Sequence, residues 1–202
     1  MSVLSDTEIE TLLSKGDLVI HPLLDNDQIR GARVDLRIDN MFFLIRRINL
    51  DSYDAMELSR SGKTTQYLEP HIVPYDESFI LHPGEFALAP TLESLKIPLT
   101  VLGELDGRSS LGRLGIIVHV TAGSVDPGFG GPLILELANL GRIPVKLIPL
   151  MRIASIKFVH IQGEVKRPYK GKYLGIENLL PPSSRLHEDK DLKIIAKMRE
   201  TV

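Results

Sequence analysis

Short runs of β-branched, aliphatic and aromatic residues recur along most of the chain, punctuated by glycine, proline, asparagine and aspartate, with no βαβ period. The runs fall at 18–20, 34–38, 42–45, 79–81, 101–105, 116–120, 133–137, 145–148 and 152–158. Strands this short, joined by turns such as Asp126-Pro127-Gly128, predict a mainly β sandwich or barrel. At the start, Ser5 with Glu8 three residues on forms a capping-box pattern, and Ile9, Leu12 and Leu13 share a face. The spacing predicts a short N-terminal helix ended by Gly16. Residues 51–77 are polar and irregular and predict an insertion or a long hairpin loop rather than a linker. We expect one domain over residues 1–180 and a tail over 181–202. In that tail Leu192, Ile195 and Met198 could line one face of a short C-terminal helix, which could dock on a partner subunit.

With 202 residues the chain can bury roughly 70% of its unfolded surface, enough for a core without covalent staples. It contains no cysteine, which removes disulfides, thiolate nucleophiles and cysteine-ligated zinc. The formal charge of -2 supplies no global field toward nucleic acid or anionic membrane, so neither is expected as a partner. The opening residues lack a signal-peptide pattern and no long apolar run follows, so a cytoplasmic location is expected. His21, His71, His82, His160 and His187 are scattered without metal-ligand spacing.

The densest chemical signal is Gly107-Arg108-Ser109-Ser110-Leu111-Gly112-Arg113, with two guanidiniums and two hydroxyls in seven residues. Arginine forks bond anionic oxygens bidentately, and serine hydroxyls add donors, so the segment could cradle phosphate. A helix start with solvated arginines is the plain alternative. Downstream, residues 119–131 carry a glycine-rich turn that presents Asp126. In Leu133-Ile134-Leu135-Glu136-Leu137, alternation places the leucines on one face and Ile134 with Glu136 on the other. A carboxylate held half out of water there could take a proton from a water molecule; a plain surface glutamate is the alternative.

Taken together, Phe79 to Glu85, Thr91 to Ser94, Gly107 to Gly115, His119 to Phe129 and Leu133 to Glu136 resemble the dCTP deaminase family in order and spacing, over roughly residues 3–173. The GRSSL segment and the glycine-flanked Asp126 are also similar to motifs of trimeric dUTPases. The resemblance implies a distorted, dUTPase-like jelly roll and hydrolysis of dCTP to dUTP and ammonia. It implies Glu136 as the base that activates water, with Ser109 and Arg113 completing the catalytic set. Nucleotide contacts carried over are Arg108, Ser109, Ser110, Leu111, Gly112, Arg113, Asp126, Ile134, Leu135, Glu136, Tyr169 and Lys172. It further implies magnesium brought by the triphosphate rather than held by side chains, a homotrimer with sites between subunits, and dUTP and dTTP as further ligands, dTTP as an inhibitor. Zinc deaminases are a different class, since their Pro-Cys-x-x-Cys ligands are missing. His119 lies inside a matching block, either shaping the base pocket or serving structure alone.

Several positions depart from the family pattern. Arg33 and Asp39 stand where the family has Ser or Thr and Gly, and Ile176 replaces a glutamine that contacts nucleotide. Isoleucine cannot make that amide's hydrogen bonds, so triphosphate closure could be weaker. Gly123 is similar to the bifunctional, dUMP-forming members, whereas Ser155 stands where those members carry glutamine, which favours the monofunctional reading. A dUMP-forming enzyme and a nucleotide-binding relative with impaired turnover are the alternatives.

Overall fold

The computed structural model describes residues 2–45, 52–61, 67–171, 173 and 190–200. Among these, every strand pairing is antiparallel. The strands are β1 (Val19–His21), β2 (Ile29–Arg30), β3 (Arg33–Arg37), β4 (Met41–Ile45), β5 (Leu68–Ile72), β6 (Phe79–Leu81) and β7 (Phe86–Lys96). They continue as β8 (Val101–Gly107), β9 (Ile116–Ile117), β10 (Ser124–Val125), β11 (Gly130–Asn139), β12 (Val145–Leu147) and β13 (Arg152–His160). One sheet runs β5-β4-β7-β11-β9, with β1 also on β7; the other runs β10-β8-β13-β3-β2, and β12 pairs β6 separately. An isolated bridge from Ile38 to Thr91 ties the two sheets. One contiguous apolar cluster draws Leu36, Ile156 and Phe158 from the second sheet and Phe42, Ala89 and Leu135 from the first, which makes the molecule a jelly-roll sandwich.

Helix α1 (Asp6–Lys15) follows its cues: Ser5 Oγ accepts from Glu8 N, Glu8 Oε2 accepts from Ser5 N at 2.8 Å, and Gly16 closes it at φ 73°. It seats Ile9, fully buried, against the core. The segment between β4 and β5 closes a hairpin with Met41 opposite Ile72 and Ile45 opposite Leu68, and carries α2 (Ala55–Ser61). The connection is hairpin-like, as one of the two expected forms has it, but β5 takes up part of the stretch expected to be irregular. A helix α4 (Lys190–Glu200) lies in the C-terminal segment.

β2, β5, β7 and β10 lie outside the expected runs, β5 within the stretch read as irregular, and β9 is shorter than its run. β7, eleven residues long, is the spine of its sheet, yet its Pro90 and polar Thr91, Glu93 and Ser94 hide it from a β-run search. Proline lacks a ladder donor, and the β11–β7 register shifts between Pro132 and Ile134, where Ile134 faces Pro90. The run expected over 116–120 ends at Ile117, because residues 118–121 bend away to meet a side chain of β11.

Candidate active site

The alternation of β11 is strict: Leu133, Leu135 and Leu137 are buried, while Ile134 and Glu136 lie half-buried on the other face. Glu136 N donates to Val118 O at 3.0 Å. Its carboxylate oxygen Oε2 accepts from Val120 N at 2.8 Å and Thr121 N at 3.2 Å. The other oxygen, Oε1, accepts no hydrogen bond from a described residue. Glu136 is thus a fixed acceptor whose Oε1 has no partner among the described residues.

Beside it, His119 is half-buried with Nδ1 shielded and unpartnered among the described residues. A Cβ at Gly123 would lie 3.2 Å from His119 Cε1, so glycine lets the 119–123 bend close on the ring.

At the end of β8 the chain turns at Arg108 into the single turn α3 (Ser109–Gly112), plugged by buried Leu111. Ser109, Ser110, Gly112 and Arg113 are exposed. The loop after α3 is pinned backbone to backbone: Leu140 N donates to Gly115 O at 2.8 Å, and a Cβ on Gly115 would sit 2.4 Å from Gly141 N. Only glycine fits there, at φ 88°. Arg108 is directed differently, with Nη1 donating to Arg152 O at 3.2 Å and Nη2 3.6 Å from Asp35 Oδ2.

Asp126 is exposed on the turn after β10, and Phe129 N donates to Asp126 O. Tyr169 N donates to Pro127 O at 2.8 Å and its ring leans on Phe129, so the segment around Tyr169 lies on the Asp126 turn. Ile134 faces Pro90 across the ladder, and Leu135 is fully buried. Lys172 and Ile176 lie outside the described residues.

The expected residues therefore form three groups within one chain: Arg108 to Arg113 on the α3 turn; Ile134, Leu135 and Glu136 with the 118–121 bend; and Asp126 with Tyr169. Among the described residues no hydrogen bond or ion pair joins Glu136 to Ser109 or Arg113.

Behind Arg108 lies a polar network that sequence reasoning missed. Asp35 sits between Arg108 and Arg152, Arg152 also pairs with Asp25, and Asp25 pairs with Arg37. Gln28, fully buried, donates to Glu93 Oε1 and to Asp35 O, and Arg37 N donates to Glu93 Oε2. Burial pushes the Glu93 carboxyl above the usual range. The Arg152 guanidinium, followed by Arg37, holds Asp25 below it. The signal that could have found this network is the one applied to Glu136: Asp35 is a carboxylate inside an apolar β-run.

Among the described residues no group of three His, Cys, Asp or Glu is placed to hold a metal ion, and no helix is long and apolar enough to cross a membrane.

Fold and site define a jelly-roll protein with a basic, hydroxyl-bearing turn after one strand and a strand-borne carboxylate beside a tight bend. The family model described as dCTP deaminase-like matches residues 3–161, and the chain belongs to that family. The dUMP-forming dCTP deaminase of Methanobrevibacter smithii is 40% identical over 96% of this chain and 100% of its own. The dCTP deaminase of Haemophilus influenzae is 41% identical over 93% and 99%. The crystal structure of the 2'-deoxycytidine 5'-triphosphate deaminase from Agrobacterium tumefaciens superposes with a TM-score of 0.62 at 24% identity, over 79% of this chain. This chain spans about half, 48%, of that longer one.

Proposed function

We propose that this chain hydrolyses the 4-amino group of dCTP, giving dUTP and ammonia, with Glu136 as general base. The observation that carries the reading is the split in that carboxylate: Oε2 is fixed by the Val120 and Thr121 amides, while Oε1 accepts from none of the described residues. Water held at Oε1 attacks C4 of the cytosine ring and gives its proton to Glu136. The same carboxylate returns the proton to the departing amine, ammonia leaves, and the remaining C4 hydroxyl proton passes to N3, so that a carbonyl remains at C4. Donors fixed in advance toward the developing charge supply much of the rate in such reactions, the role we assign to Ser109 and Arg113.

Those two groups come to Glu136 from a second copy in this reading. Support comes from the absence, among the described residues, of any bond from Glu136 to Ser109 or Arg113, and from exposed apolar residues around both. Leu114, Val120, Leu140 and Ile143 are 55%, 55%, 70% and 74% exposed. Apolar surface of that kind beside a polar site suits a subunit interface, and a closed homotrimer with sites between subunits satisfies it. Arg108, Ser110 and the α3 backbone at Leu111 and Gly112 hold phosphate, Asp126 reads the sugar, Ile134 and Leu135 flank the base, and Tyr169 with Lys172 closes over the triphosphate. Magnesium, bound through phosphate oxygens and water, would neutralise charge on the triphosphate and needs no protein cage. dTTP, which shares sugar and triphosphate with the substrate, would compete as an inhibitor, and cytoplasm is the expected location.

A second reading continues the reaction to dUMP and pyrophosphate, with Asp126 also helping to activate the water that attacks the α-phosphate. It is favoured by the fit of Gly123 against His119 and by a 40% identical relative named dUMP-forming. Incubation with dCTP and magnesium, resolved by anion-exchange chromatography, tests both. dUTP accumulating with ammonia supports the first reading; dUMP with pyrophosphate supports the second; unreacted dCTP overturns both.

A further inference from the structure

Arg108, Asp35, Arg152, Asp25 and Arg37 form a continuous ladder of alternating charge behind the α3 turn. Three of its members are shielded: the side chains of Asp35, Arg152 and Arg37 are 8%, 15% and 16% exposed, against 32% for Arg108 and 39% for Asp25. Below it, Arg37 Nη1 donates to Leu150 O at 2.7 Å, and Gln28 links Asp35 O to the buried Glu93. Asp35 and Arg37 are fixed by β3, and Arg152 begins β13, which pairs with β3 on one side and β8 on the other. The ladder is therefore tied to the strand that delivers Arg108.

We infer that Asp35 is a positioning residue for nucleotide binding: with the Arg152 carbonyl it grips the inner edge of the Arg108 guanidinium and aims the outer edge at phosphate. A guanidinium has five N–H donors in a planar fork, so binding one edge internally sets the direction of the other. An exposed arginine must otherwise give up rotamer freedom each time it captures an anion. A fork already ordered avoids that loss on binding. With three guanidiniums against two carboxylates, the ladder keeps a net positive charge, which leaves Arg108 attractive to an anion despite its pairing with Asp35. Asp35 does not touch substrate; it acts through Arg108. The inference rests on the deaminase reading for the identity of its ligand.

The test is a double-mutant cycle on dCTP affinity, measured by titration calorimetry in the Glu136→Gln background so that substrate is not consumed. Asp35→Asn should weaken dCTP binding about tenfold, because it removes the charge that holds the fork. In a chain that also carries Arg108→Gln, Asp35→Asn should change affinity less than twofold, since its effect passes through Arg108. With native Glu136, Asp35→Asn should raise KM while leaving kcat within about threefold. If Asp35→Asn alone does not fold, the same comparison is made in an Arg152→Gln background, where the buried cation it would strand is gone. Equal weakening with and without Arg108, or binding that is unchanged or tighter, overturns the inference. Absence of turnover by the native chain with dCTP binding intact instead defeats the deaminase reading and leaves the ladder standing.

Discussion

Glu136 Oε2 accepts a hydrogen bond from Val120 N at 2.8 Å, which makes the candidate base also the anchor of the bend beside it. Position and chemistry are thereby coupled in one side chain. Glu136→Ala should lose the anchor as well as the base, lowering stability by about 1 kcal/mol, because the freed amides at exposed Val120 and Thr121 can turn to water. Glu136→Gln keeps an acceptor oxygen and should cost less. Urea unfolding midpoints of the two variants against the native chain check the order.

Gly115 is where the α3 loop meets the end of β11. Gly115→Ala places a methyl 2.4 Å from Gly141 N and 2.7 Å from Gly141 Cα at a φ of 88°, so backbone must move. A loss of more than about 2 kcal/mol is expected, combining left-handed strain with the clash. Chemical denaturation measures it, and turnover should fall too, since Ser109 and Arg113 ride on the same loop. An unchanged midpoint would contradict the close approach.

Much of the fold was legible because alternation is a property of neighbours in sequence. The leucines of β11 and the capping box of α1 needed no distant partner to be recognised, whereas β5, inside the polar stretch 51–77, shows only through its pairing with β4. β7 was not legible: Pro90 and Glu93 look wrong for a central strand until the register shift opposite Pro132 and Ile134, and the buried partners Gln28 and Arg37, are known. The site shows the same division. The α3 turn and Glu136 stand out as local patterns, whereas the Asp35 ladder joins residues up to 127 positions apart, as between Asp25 and Arg152, and no local window contains it.

The buried Glu93 and the paired Asp25 predict opposite pH limbs. Glu93 has its folded pKa raised by burial, so the folded chain binds that proton more tightly than the unfolded chain. Its stabilising contribution is complete below the ordinary value of 4.5 and is lost as pH rises through the elevated one. Asp25, depressed mainly by its hydrogen bond to Arg152, contributes stability above its ordinary value of 3.8, lost as pH falls through the depressed one. Unfolding midpoints from acid to neutral pH should therefore show the native chain losing stability relative to Glu93→Gln as pH rises past 4.5. A constant difference would count against the burial of that carboxylate.

Whether Glu136 is the base is decided by comparing the native chain with Glu136→Gln on one dCTP preparation, following ammonia release and nucleotide affinity together. The substitution keeps shape and one acceptor oxygen and removes the proton acceptor. The account predicts dCTP affinity within about threefold of native and turnover reduced at least about 10²-fold, the usual scale of a general base. Ammonia release by Glu136→Gln at the native rate would contradict it.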